Sequence, residues 1–120
     1  MEEETSDAVE LANIVLIIGM IREKCEGARI VADPDGTFPI LLSSVAERFE
    51  DGPGVRVYRR VDADLGHRLV RRLEIMADIA FTKHDKGLIR LMTGNGTREF
   101  QLVRTGGGLV VSLLPLPPEE

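Results

Sequence analysis

The sequence predicts an α+β fold in which two main helices pack on an antiparallel sheet whose C-terminal half is a strand meander. Three observations predict it. Apolar residues recur at helical spacing in two stretches, one around Val9 to Met20 and one from Leu65 to Ala77. Short apolar runs flank the turn signals Pro34-Asp35-Gly36, Gly94-Asn95-Gly96 and Gly106-Gly107-Gly108. The length, 120 residues and 13.2 kDa, allows one domain. Within it, 1–5 are expected to be a disordered start, 6–114 the globular part and 115–120 a proline-rich tail.

Thr5 or Ser6 can cap the first helix, whose opening turn carries Asp7 and Glu10 where the helix dipole favours carboxylates. Val9, Leu16, Met20 and their neighbours make more than half its circumference apolar, which predicts a helix buried on most sides and stopped by Gly27. Arg29 to Asp33 and Phe38 to Leu42 read as strands joined into a hairpin by Pro34-Asp35-Gly36. Val45 to Glu50 is ambiguous, Asp51-Gly52-Pro53-Gly54 is a loop, and Val55 to Val61 alternates apolar and basic residues as a strand does.

Asp62 or Asp64 caps the second helix. Its Leu65, Leu69, Leu73, Met76 and Ala77 fix a buried face, and Leu69, Leu73 and Met76 are expected against Leu91, Leu102 and Val111. Arg68, Arg71 and Arg72 lie off that stripe, toward water. Ile79 to Thr82, Leu88 to Thr93, Arg98 to Thr105 and Leu109 to Leu114 then read as short strands. Gly94-Asn95-Gly96 supplies positive-φ residues for a tight hairpin, and Gly106-Gly107-Gly108 supplies the next reversal. From Leu114 the prolines cannot donate to a ladder, so the strands end there.

Composition narrows the function. Fifteen Lys and Arg against twenty Asp and Glu give a net charge of −5, which disfavours nucleic-acid binding by bulk charge but permits a local basic patch. The single Cys25 excludes an internal disulfide and a cysteine zinc site, fits a reducing compartment, and at the C-terminal end of the first helix is expected to be inert. The apolar run Ile14 to Ile21 is far short of the ~20 residues that span a bilayer, so no membrane insertion is expected. The acidic start Met1-Glu2-Glu3-Glu4 is unlike a secretory signal, and a cytoplasmic location is expected.

No catalytic set is legible. His67 and His84 stand apart from each other and from Cys25, so neither makes a metal pair or a Cys–His nucleophile. Asp33-Pro34-Asp35-Gly36 opens like a calcium loop but lacks the later oxygen ligands and closing glutamate. Gly106-Gly107-Gly108 is followed by neither a lysine nor a helix, as a phosphate loop would require. The expectation is a protein that is not an enzyme and holds no cofactor or metal. The densest charge feature is Arg56, Arg59, Arg60, Arg68, Arg71 and Arg72. It reads as a solvated face balanced by Asp62, Asp64 and Glu74, as a surface for an acidic protein partner, or as an anion or nucleic-acid site.

The segment from Arg68 to Ala80, RLVRRLEIMADIA, resembles "LISRLKVMAGLDIAERRRPQDGR" of the N-terminal domain of type II secretion and type IV pilus assembly ATPases. Leu88-Ile89-Arg90-Leu91, Arg98 to Val103 and Leu109 to Leu114 are similar to that family's "RIRL", "REIDLRV" and "VVLRLL". Gly27 to Pro34 stands where the family has "ASDIHLEP", so the resemblance runs from residue 10 to 114. Residues 43 to 62 have no counterpart and read as an insertion. Arginines with which that domain helps contact nucleotide fall on Leu88 and Val103 here, which cannot do so, and the motor domain with its Walker loops is not in the sequence. The resemblance implies a non-enzymatic interaction or regulatory module, its partner a secretion or pilus motor ATPase or a second copy of itself. A small ligand-sensing domain is the alternative, and nucleic-acid binding through the arginine patch is less favoured.

Overall fold

The computed structural model of the chain describes residues 2–44, 54–94 and 96–115, with side chains from Asp7 onward. Helix α1 (Glu2–Asn13) begins ahead of Thr5 and Ser6, so neither caps it. It continues without a break into a π-helical segment (Ile14–Arg22). The wider turn is closed at its end by the Glu23 N–H, which donates to the Ile18 carbonyl five residues back at 3.0 Å.

Along this helix the buried residues come in pairs four apart, Leu11 and Ala12, Val15 and Leu16, Gly19 and Met20. Ile17 and Ile18 are left exposed. The helix is therefore buried on one face, not on most sides. It stops at Arg22, because Lys24 takes a left-handed φ of 58° and turns the chain into the sheet. Gly27, expected as its stop, opens the first strand instead. Cys25 lies after the helix rather than on it.

The strands are β1 (Gly27–Val31), β2 (Phe38–Ser43), β3 (Val55–Val61), β4 (Lys86–Thr93), β5 (Gly96–Thr105) and β6 (Gly108–Leu113). They form one antiparallel sheet of order β3-β2-β1-β6-β5-β4, with helix α2 (Ala63–Met76) and α1 on one face. The N-terminal hairpin and the C-terminal meander are thus fused through β1 and β6. Gly108 permits that seam, since a Cβ there would overlap the Ile30 carbonyl.

On the helix side, Ile30, Ile40, Leu42, Phe100, Leu102, Leu109 and Val111 join Leu16, Met20, Leu69 and Leu73 in one core. Met76 and Leu91 are packed on its edge, so the helix register expected from the sequence holds. Asp62, not Asp64, caps α2, its Oδ1 accepting from the Leu65 N–H at 2.8 Å.

Two expected elements differ. Ile79 to Thr82 is not a strand. Asp78 takes a φ of 60°, Ile79 drops into the core, and the Thr82 N–H donates back to the Ile79 carbonyl at 3.2 Å, which makes a turn. In β3 the register slips, with Arg59 opposite Ile40 but Val57 opposite Leu41, so Tyr58 is an extra residue. The alternation breaks there. Val57 faces away from the helices and is half exposed, while Tyr58 packs against the core. The ambiguous stretch 45–50, the loop residues 51–53 and most of the proline-rich tail lie outside the described residues.

Candidate functional site

Helix spacing places Arg68, Arg71 and Arg72 at i, i+3 and i+4, on the flank of α2 that meets α1. With Ala8 and Val9 of α1 and Ile75 of α2, the three arginines line an open cleft of about 210 Å³. Its floor is apolar and its rim is guanidinium. These arginines do not simply point at water, because the neighbouring helix walls them on one side.

The three differ in how far their charge is already engaged. Arg68 donates from Nε and Nη2 to Asp64 Oδ2 at 3.2 and 3.0 Å. Arg71 donates to the Ala80 carbonyl at 2.7 Å and lies 4.9 Å over the Phe81 ring, so it props the turn after α2. Arg72 has no hydrogen-bonded or ion-paired partner among the described residues, and its Nε is buried. Among the described residues lining the cleft, Arg72 is thus the arginine whose Nε–H is buried beside an apolar floor without an acceptor.

Glu74 stands behind the cleft with 12% of its side chain exposed, 4.0 Å from Arg71 Nε and 3.3 Å from Arg104 Nε. Arg104 also donates to the Ile79 carbonyl. The group clasps the turn to the sheet, a structural duty.

The other predicted arginines lie elsewhere. Arg56 pairs with Glu23 at the end of the π-helical segment. Arg60, opposite Pro39 on the sheet face away from the helices, donates to Asp33 Oδ2 at 2.6 Å and to Thr37 Oγ1 at 2.9 Å. The hydrogen bond to Asp33 holds its pKa above the ordinary arginine value. In the same turn Asp35 is held below the usual carboxylate range, chiefly by the Thr37 hydroxyl and then by the Thr37 amide. Arg59 is exposed at the sheet edge. The six arginines therefore divide into three lining a cleft on α2 and three dispersed along β3, of which Arg56 and Arg60 are ion-paired.

His67 is exposed and meets Phe38 edge-on, with ring centroids 4.9 Å apart, and His84 is exposed in the turn before β4. No three His, Cys, Asp or Glu residues are grouped for a metal among the described residues. Cys25 is buried, which raises its thiol pKa and opposes the nucleophilic thiolate. No described helix is long and apolar enough to cross a membrane.

Sequence reasoning finds the three arginines but not the α1 wall. Ala8 and Val9 look like ordinary helix residues, and only the packing of α1 beside α2 makes them a floor. Neither the protein-family models nor the curated proteins with which the chain was compared match it.

Proposed function

We propose that the chain is a non-enzymatic interaction module that docks an acidic segment of a protein partner in the arginine cleft between α1 and α2. The observation that carries this is Arg72, whose guanidinium has no partner among the described residues and stands beside the apolar surface of Ala8, Val9 and Ile75. A carboxylate next to a leucine or valine would satisfy both features at once. The resemblance to the pre-motor domain of secretion and pilus ATPases supports a motor of that class as the partner.

Size favours side chains over a whole small ligand. The cleft's volume of about 210 Å³ falls below the ~300–1,000 Å³ of typical small-molecule pockets. Its apolar floor still supports a second reading, binding of a small anionic amphiphile. Nucleic acid fits less well, because Arg56, Arg60, Arg68 and Arg71 already have partners within the chain.

A titration of isotope-labelled protein with acetyl-Asp-Glu-Leu-Leu, and with its neutral analogue acetyl-Asn-Gln-Leu-Leu, tests the reading. The acidic peptide should shift amide signals of Ala8, Val9, Arg72 and Ile75 at low salt, and the shifts should shrink as salt rises. Equal shifts with the neutral analogue, or shifts confined to β3, would remove the cleft as the docking site.

A further inference from the structure

The two edges of the sheet, β3 and β4, are built differently. β3 is broken by the Tyr58 bulge and studded with Arg56, Arg59 and Arg60, features that discourage another strand from pairing. β4 lacks the bulge, and of its two cations Lys86 opens the strand while Arg90 is paired with Glu99. Its eight residues hold an unbroken register against β5, without a bulge or proline.

Which backbone groups β4 leaves open follows from its ladder. The Arg104 N–H donates to the Asp85 carbonyl at 2.8 Å, marking Asp85 and Arg104 as a hydrogen-bonded pair. In an antiparallel ladder such pairs alternate, so Gly87, Ile89 and Leu91 bond inward to β5. The N–H and C=O groups of Lys86, Leu88, Arg90 and Met92 then point outward, away from the sheet.

The side chains of those same residues lie on the sheet face opposite the helices, where Leu88 is 44% and Met92 81% exposed. They sit two residues either side of Arg90. The strand is thus self-complementary about Arg90, which points to a second copy rather than an unrelated peptide as its occupant. Set antiparallel with a two-fold axis at Arg90, Leu88 meets the partner's Met92, Ile89 meets the partner's Leu91, and each pairing occurs twice. Arg90 faces the partner's Arg90, but each guanidinium is held 2.6 Å from its own Glu99, so the central row is electrically balanced.

We propose that β4 is a homotypic docking edge through which two copies of the chain join into one continuous antiparallel sheet. This assignment does not rest on the arginine cleft, which lies on the helix layer. Strand pairing of this length buries a small area, so the dimer is weak and grows with concentration.

Sedimentation velocity on the full chain up to millimolar concentration is the test. Wild type should move toward the dimer value. Met92→Lys, at an exposed position, should weaken association at least tenfold with unchanged circular dichroism. Val57→Lys on the β3 edge should leave it intact. The register is read separately by mild oxidation of a Cys25→Ala chain carrying Arg90→Cys, which should cross-link, since paired strand positions lie within disulfide reach. The same background with Leu88→Cys should not. A wild type that stays monomeric, a dimer undiminished by Met92→Lys, or cross-linking through position 88 and not 90 would each overturn the proposal. So would β4 amides that respond only to an added foreign peptide.

Discussion

Replacing a helical glycine by alanine usually stabilises a protein, by up to about 1 kcal/mol, because glycine loses more backbone freedom on folding. At Gly66 the sign should reverse. Gly66 stands in the first turn of α2 directly under Phe38, and an added Cβ would overlap the ring. Phe38 is 1% exposed and flanked by His67, so its ring has little room to retreat. Overpacking of this kind costs about 1–3 kcal/mol, so after the propensity gain Gly66→Ala should be less stable by up to about 2 kcal/mol. Urea unfolding followed by circular dichroism should show a lower midpoint with an unchanged slope. Adding Phe38→Leu should recover part of the loss, with a coupling above about 0.5 kcal/mol. A Gly66→Ala protein more stable than wild type would refute the packing of α2 on β2.

Leu73→Ala should cost about 2–5 kcal/mol, because Leu73 is fully buried between α2 and the sheet; a change under about 1 kcal/mol would put the helix register in error. Asp35 should titrate below its ordinary value of 3.8 in a carbon-detected titration, since Thr37 donates to its charged form. Its depressed pKa contributes stability above the unfolded value that is lost as pH falls through the folded one. The gap in urea midpoint between wild type and Asp35→Asn should accordingly be small at neutral pH and close below pH 3.8. Cys25 should react with a thiol reagent far more slowly in the native than in the urea-unfolded chain, because burial both raises its pKa and blocks access; equal rates would contradict its placement.

Local chemistry explains what was legible in the sequence. Asp62 caps α2, Pro34-Asp35-Gly36 turns β1 into β2, and Val55 to Val61 is a strand, each a matter of neighbours within a few residues. The pairing of β1 with β6 depends on residues some eighty positions apart, and nothing in either strand names its neighbour. The run from Ile14 to Ile21 is apolar all round, so periodicity could not mark where the helix widens. Ile79 carries a strand former's side chain, yet Asp78 ahead of it takes the left-handed conformation that asparagine and aspartate tolerate best. For the site, the sequence supplies the arginines of α2 but not their engagement. Arg71 and Arg68 are occupied by Ala80 and Asp64, and Arg72 is distinguished from them only by three-dimensional placement.

The central claim, that Arg72 is the charge to which a partner docks, is tested most directly by a charge swap. Titration calorimetry compares wild type and Arg72→Glu, each with acetyl-Asp-Glu-Leu-Leu and with acetyl-Lys-Lys-Leu-Leu. Wild type should bind the acidic peptide and not the basic one. Arg72→Glu should lose at least tenfold for the acidic peptide and gain for the basic one, with the fold unchanged by circular dichroism. If Arg72→Glu binds the acidic peptide as tightly as wild type, the cleft between α1 and α2 is not where the partner's charge is read.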